Sequence, residues 1–247
     1  LLAVALVLDR GGEVLEAQLA LARERLGERR AGHVRRLYDE LAATGPEYRL
    51  PLLEIAFPAL RRRPLPQLEF LVDLVRRMIE ADTETDLYEF CFFRVLAAAL
   101  EHAARPAAAS RPQRLTPAVV RGAAVDLLRA VAWHGHRDHE AAHAAFAAGI
   151  ARFGAWADDL TLRADEVPDV GALGRALDAL TALTGDGRRV LVEAVGSVVL
   201  HDRRLTVAEA ELLRAVCATL DCPLPPIVTA KRRAAEDREA ATQKAYD

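Results

Sequence analysis

Residues 198–216, Val-Val-Leu-His-Asp-Arg-Arg-Leu-Thr-Val-Ala-Glu-Ala-Glu-Leu-Leu-Arg-Ala-Val, decide the fold class. They end one apolar helix, turn through a short polar corner and begin another. Thr206 stands where a helix N-cap is needed. Glu209, three residues on, can return a hydrogen bond to the Thr206 N–H, which makes a capping box. Leu212, Leu213, Val216, Cys217 and Leu220 then recur at three- and four-residue spacing, the stripe of a half-buried helix.

The same unit occurs once before. Residues 78–96 run Met-Ile-Glu-Ala-Asp-Thr-Glu-Thr-Asp-Leu-Tyr-Glu-Phe-Cys-Phe-Phe-Arg-Val-Leu. At an offset of 120 residues, Asp82 aligns with Asp202, Glu89 with Glu209 and Arg94 with Arg214. Asp86 takes the capping position that Thr206 fills in the second copy. Each copy therefore reads as a helical hairpin with a tight polar corner. The carboxylates of Asp82, Asp86, Glu89, Asp202 and Glu209 invite a divalent-cation reading. A calcium loop needs more oxygen ligands and a glycine at its sharp turn, and neither corner has that glycine. We expect these residues to act as structural corners, capping helices and pairing with the arginines.

Helical periodicity extends over most of the chain. Leu68, Leu71, Val72, Val75 and Ile79 keep the 3–4 spacing, and two-residue alternation is sustained nowhere. The Val-rich stretch 190–200 reads as a buried helix. Gly11-Gly12, Gly45-Pro46, Pro64 with Pro66, Pro168 and the Gly185-Asp186-Gly187 turn break the pattern into nine or ten helices. The fold class is all-α, with two helical subdomains, one hairpin in each. We place an N-terminal half at 1–104, a Pro- and Ala-rich linker at 105–117, a C-terminal half at 118–228 and a charged tail at 229–247.

Composition narrows the function. Hydrophobic residues make up 52% of the 247, enough for a core in each half. The net charge is −3 and the pI is near 6.2. Phosphate recognition needs a basic face, so a nucleic-acid partner is not expected. Cys91, Cys217 and Cys222 have no metal-ligand spacing, and the first two fall in apolar stripes as small core residues. The low cysteine count fits a reducing compartment. No apolar run reaches the ~18–20 residues of a membrane span. The one methionine is Met78, so the sequence reads as a fragment or a processed product. Arg61-Arg62-Arg63 reads as a solvated helix end, with anionic lipid headgroups as the functional alternative.

One motif argues for catalysis. His139-Glu140-Ala-Ala-His143 is an H-E-x-x-H pattern. On a helix, His139 and His143 share a face and can ligate one zinc, while Glu140 polarises a bound water. A catalytic zinc also needs a third protein ligand. The extended form of the motif would place Gly at 146 and His at 149, where this chain has Phe146 and Gly149. Asp165 and Glu166, the nearest later carboxylates, precede Pro168 in what reads as a loop. No strand precedes the helix to align a peptide. His136, His139, His143, Phe146 and Ile150 also read as one stripe, with the histidines as its exposed end. We therefore expect neither a catalytic residue nor a metal ligand here. Glu140 is the alternative catalytic residue, with His139 and His143 as the alternative ligands.

The corners resemble the TerB-like helical module, in which a glycine stands where this chain has Thr83 and Arg203. The ordered set is wider: Ala5-Leu-Val-Leu-Asp9, Leu50-Pro-Leu-Leu-Glu-Ile-Ala-Phe-Pro-Ala-Leu60, Ile79-Glu-Ala-Asp82, Asp86-Leu-Tyr-Glu-Phe90, Leu205–Arg214 and Asp221-Cys-Pro-Leu-Pro-Pro226. It is similar to the helical C-terminal extension of bacterial HtpX-type membrane zinc metallopeptidases. The resemblance implies a non-catalytic interaction or regulatory domain on the cytoplasmic face of the inner membrane. Its partners would be its own upstream protease and membrane domain, and it would be soluble when isolated. It also implies no cofactor in this chain, the zinc belonging to the protease domain. No catalytic residue of that family has a counterpart here. The alternatives are an autonomous zinc hydrolase and a free-standing TerB-like stress-response protein.

Overall fold

A computed structural model describes residues 1–82, 84–136, 138–154, 157, 160–163, 165 and 167–225 except for 105–114, with backbone alone at 102–104. The fold is all-α. Eleven α-helices, two 3-10 turns and no strand occur among the described residues. The chain divides into two compact units, Leu1–Arg111 and Pro112–Asp247. Most of the linker read at 105–117 lies outside the described residues. So does the whole tail at 229–247.

The first unit contains α1 (Leu2–Val7), α2 (Gly12–Leu26), α3 (Glu28–Leu41), α4 (Arg49–Leu60), α5 (Leu65–Ile79) and α6 (Leu87–Ala104). The short α1 is its centre. Ala3, Val4, Ala5, Leu6 and Val7 are all buried, and the helix packs on α3, α4 and α5. Gly12 opens α2, and Gly27, with φ of 81°, separates α2 from α3. The sequence reading missed that second break. A glycine takes this left-handed conformation without the Cβ clash other residues suffer. The Arg25 guanidinium bonds the Asp73 carboxylate at 3.0 Å and links α2 to α5.

The second unit contains α7 (Pro117–Gly135), α8 (His139–Ile150), α9 (Val170–Leu180), α10 (Gly185–Val199) and α11 (Val207–Thr219). Here α7 is the centre, packing on the other four helices. Leu127, Leu128, Ala130, Val131 and Ala132 are fully buried. The Val-rich stretch is the buried α10, as its spacing predicts. Gly185-Asp186-Gly187 is not the turn it resembles: it forms the first turn of α10, with Thr184 as N-cap. Arg188 explains how the glycines are tolerated. Its guanidinium donates to the carbonyls of Leu183 at 3.0 Å, Leu220 at 2.8 Å and Thr181 at 3.1 Å. One side chain thus fixes the start of α10 and satisfies carbonyls beyond the ends of α9 and α11.

α8 and α10 cross closely at Gly149. A Cβ there would lie 2.5 Å from Val198 Cγ2 and 3.2 Å from the Ala194 carbonyl oxygen. Backbone cannot yield as a flexible side chain can. Gly149→Ala should therefore cost about 1–3 kcal/mol by overpacking. Urea unfolding followed by circular dichroism measures this, and an unchanged midpoint would contradict the close crossing.

Candidate functional site

The polar corners are built in the two units by the same local chemistry. Between α10 and α11, the Thr206 hydroxyl accepts the Glu209 N–H at 3.2 Å. Glu209 Oε2 in turn accepts the Thr206 N–H at 2.8 Å and the Thr206 hydroxyl at 2.9 Å. Between α5 and α6, Asp86 Oδ1 accepts the Glu89 N–H at 2.7 Å, and Glu89 Oε2 accepts the Asp86 N–H at 3.0 Å. Each box satisfies donors that the first helical turn leaves open, and such a cap contributes about 1 kcal/mol. Asp202 braces its own corner by accepting the Arg204 N–H at 2.7 Å. Arg94, the aligned arginine of the first copy, lies over the Phe90 ring at 5.4 Å.

Both glutamates are carried inward with their helices. Glu209 is 1% exposed and Glu89 8%. Burial pushes the Glu89 carboxyl up to about 7, against the pull of its bond from the Asp86 backbone, and the charges of Asp86, Asp82 and Asp9 add to the rise. Burial also raises Glu209, against the Thr206 hydrogen bonds and the nearby His136. Glu209 Oε1 has no hydrogen-bond partner among the described residues, nor does the buried Nε2 of His136.

Sequence reasoning did not place three contributors to the corners. Gly135, the last residue of α7, lies under Glu209: a Cβ there would stand 2.5 Å from Glu209 Cγ. His136 leaves α7 in an extended conformation, with Nδ1 3.0 Å from the Ala132 carbonyl oxygen. It therefore does not share a helical stripe with His139 and His143, which corrects that part of the sequence reading. Asp9 forms a third corner, between α1 and α2. Its carboxylate accepts the Gly11 N–H at 3.2 Å, and its own N–H donates to Gln18 Oε1 at 2.7 Å. The signal for Asp9 was present as Asp9-Arg10-Gly11-Gly12 ahead of a helical stripe.

Thr83 lies outside the described residues. Its counterpart Arg203 has φ of 62°, in the left-handed region where the resemblance implies glycine.

The H-E-x-x-H segment lies elsewhere in its unit. Asp138 caps α8 by accepting the Ala141 N–H at 2.8 Å, so His139 and Glu140 occupy the first turn. His139, Glu140 and His143 are exposed, and the two imidazole centroids are 6.3 Å apart. The Trp133 ring stands edge-on to His139 at 6.2 Å. The pair therefore projects from the surface one turn before the buried Phe146. Position 149 is the close crossing with α10, with no space for a third imidazole. Asp165 is exposed beside Arg163, and Glu166 lies outside the described residues. No cluster of three or more His, Cys, Asp or Glu side chains suited to a metal occurs among the described residues. Cys91 and Cys217 are buried core residues, and burial pushes the Cys217 thiol up to about 12.

No family model, curated protein or solved structure matches this chain.

The corner chemistry has two measurable consequences. Because the folded-state pKa of Glu89 lies above its ordinary 4.5, the native state binds the extra proton. Its contribution to stability is complete below about 4.5 and declines as pH rises through about 7. Glu89→Gln keeps a capping partner and stays neutral, so it should flatten that part of the stability–pH profile. Urea midpoints between pH 4.5 and 7.5 measure the difference, and parallel profiles would contradict the assignment. Arg203→Gly should raise stability by about 1 kcal/mol by relieving the left-handed strain. A lower thermal midpoint in scanning calorimetry would refute that account.

Proposed function

We propose that this chain is a non-catalytic helical interaction module that serves a membrane zinc metallopeptidase, whose protease domain supplies the zinc. The observation that carries this reading is α4. Ten of the twelve residues Arg49–Leu60 are apolar, yet only Leu50 and Leu53 are buried. Ile55 is 73% exposed. A helix that is apolar on all sides normally lies in a core or against a partner. Arg61, Arg62 and Arg63 follow it directly and are exposed. The partner we assign is the protease and membrane part of the same protein, as the resemblance implies. No described helix is long and apolar enough to cross a membrane, so a spanning segment would have to come from that part.

The competing reading, a zinc hydrolase built on His139, Glu140 and His143, finds less support. Those residues lie on an exposed helix start, and the position for an additional histidine on the same helix is a core contact. The capping boxes likewise engage the acidic corners in helix formation.

Metal analysis of tag-free protein separates the two readings. The proposed module should hold far less than the roughly one zinc per chain that a catalytic site retains, and should not cleave casein with zinc added. Stoichiometric zinc lost in His143→Ala, together with peptidase activity lost in Glu140→Gln, would overturn it. Ile55→Asp should leave the helical circular-dichroism spectrum unchanged. The same change should weaken binding to the detergent-solubilised upstream part at least about tenfold, as a buried charge at an apolar contact does. Equal affinity would remove α4 as the contact.

A further inference from the structure

The first unit contains a half-open cleft of about 440 Å3, apart from the two capping boxes and beside the turn at Asp9. Its walls come from the end of α1, the turn after it, the end of α3 and the approach to α4. Ala5, Leu6, Leu8 and Leu41 supply an apolar floor, while Arg10, Arg49, Tyr38 and Thr44 supply polar side chains. The volume is in the range of small-molecule sites.

The polar lining is one-sided. Arg10 and Arg49 are cations, and neither forms an ion pair among the described residues. The Tyr38 and Thr44 hydroxyls likewise have no hydrogen-bond partner there. No carboxylate lines the cleft. Two backbone acceptors in its walls are already engaged: the Leu6 carbonyl takes the Tyr88 hydroxyl at 2.8 Å, and the Leu41 carbonyl takes the Thr44 N–H at 2.9 Å. Gly45 and Pro46 begin the 3-10 turn that leads into α4, and no side chain caps that start. The Glu47 carboxylate folds against Gly45 and is not a lining group.

Arg49 is also held in place. Its guanidinium lies over the Tyr88 ring at 5.2 Å, and the hydrogen bond to Leu6 fixes that ring. A fixed guanidinium loses less freedom on binding than a mobile one, and guanidinium suits the two-oxygen edge of a phosphate or carboxylate. A donor-rich rim over an apolar floor selects an acceptor-rich head on a short hydrocarbon body.

We propose that this cleft binds a small amphiphilic organic anion, with a phosphate or carboxylate head held by Arg10, Arg49, Tyr38 and Thr44 and a short apolar chain against Leu6, Leu8 and Leu41. The head can belong to a free metabolite or to an anionic lipid, and the same four donors serve both. The proposal does not depend on the function assigned above.

Hexyl phosphate, hexanoate and inorganic phosphate, titrated into the full chain and followed by amide chemical shifts, test it. Hexyl phosphate or hexanoate should shift the amides of Ala42, Thr44 and Gly45 saturably. The better of the two should bind at least about tenfold more tightly than inorganic phosphate, because only it fills the apolar floor. Arg10→Ala, at an exposed position, should weaken binding about tenfold by removing one charge-assisted contact. Tyr38→Phe should weaken it by a smaller factor. Co-sedimentation with phosphatidylglycerol vesicles distinguishes the sources: loss of sedimentation in Arg10→Ala assigns a lipid headgroup, and hexyl phosphate or hexanoate binding without sedimentation assigns a free anion. Shifts that do not saturate, or that Arg10→Ala and Tyr38→Phe leave unchanged, would overturn the proposal.

Discussion

A buried helix end must have its open N–H and carbonyl groups satisfied, and much of this structure follows from that requirement. In the first unit, Tyr88 donates to Leu6 at the end of the buried α1, while the fully buried Gln18 joins Asp9 to the Met78 carbonyl. In the second, Arg188 serves three carbonyls beyond helix ends, and Glu209 is drawn inside with the start of α11. Each is a polar side chain held in or near the core by a hydrogen bond to a backbone group at or beyond a helix end. Removing such a partner leaves the backbone group desolvated, at a cost of about 1–3 kcal/mol.

This requirement bears directly on how the acidic residues are interpreted. Asp86, Glu89, Thr206 and Glu209 share a pattern that suits either a cation or a helix cap. The hydrogen bonds give each of them a capping task, and burial favours the protonated form of both glutamates. His139 and His143 show the reverse situation. Their spacing suits a metal, but capping by Asp138 sets them at the exposed start of the helix, while Ala142, Ala145, Phe146, Gly149 and Ile150 form its buried face. The same local rule, a side-chain oxygen closing a helix N-terminus, thus accounts for the placement of both motifs.

Much of the architecture was legible because it is local. The 3–4 spacing of apolar residues marks the helices, and Thr206 with Glu209, or Asp86 with Glu89, marks helix starts within four residues of sequence. The errors came where local signals conflict. Gly185-Asp186-Gly187 has the composition of a turn, but Arg188 reaches the distant Leu220 carbonyl and holds the segment as helix. His136 has helical spacing from His139, yet an extended residue at the end of α7 takes it off that stripe. The place of Asp9 beside Glu89 depends on α1 being packed at the centre of its unit, which no spacing rule encodes.

By itself, the sequence determined the helical class, the repeated hairpin and its capping boxes, and the buried places of Cys91 and Cys217, because these depend on periodicity and short-range hydrogen bonding. Tertiary structure decided which polar groups enter the core, which positions must be glycine and where a cleft opens. Gly135 and Gly149 matter because Glu209 and Val198, each tens of residues away, press against them. Arg10, Tyr38, Thr44 and Arg49 come from separate parts of the chain and line one space because α1, α3 and α4 pack together. Sequence neighbours set the elements through bonds a few residues long. Such contacts between distant residues exist only once the elements have packed.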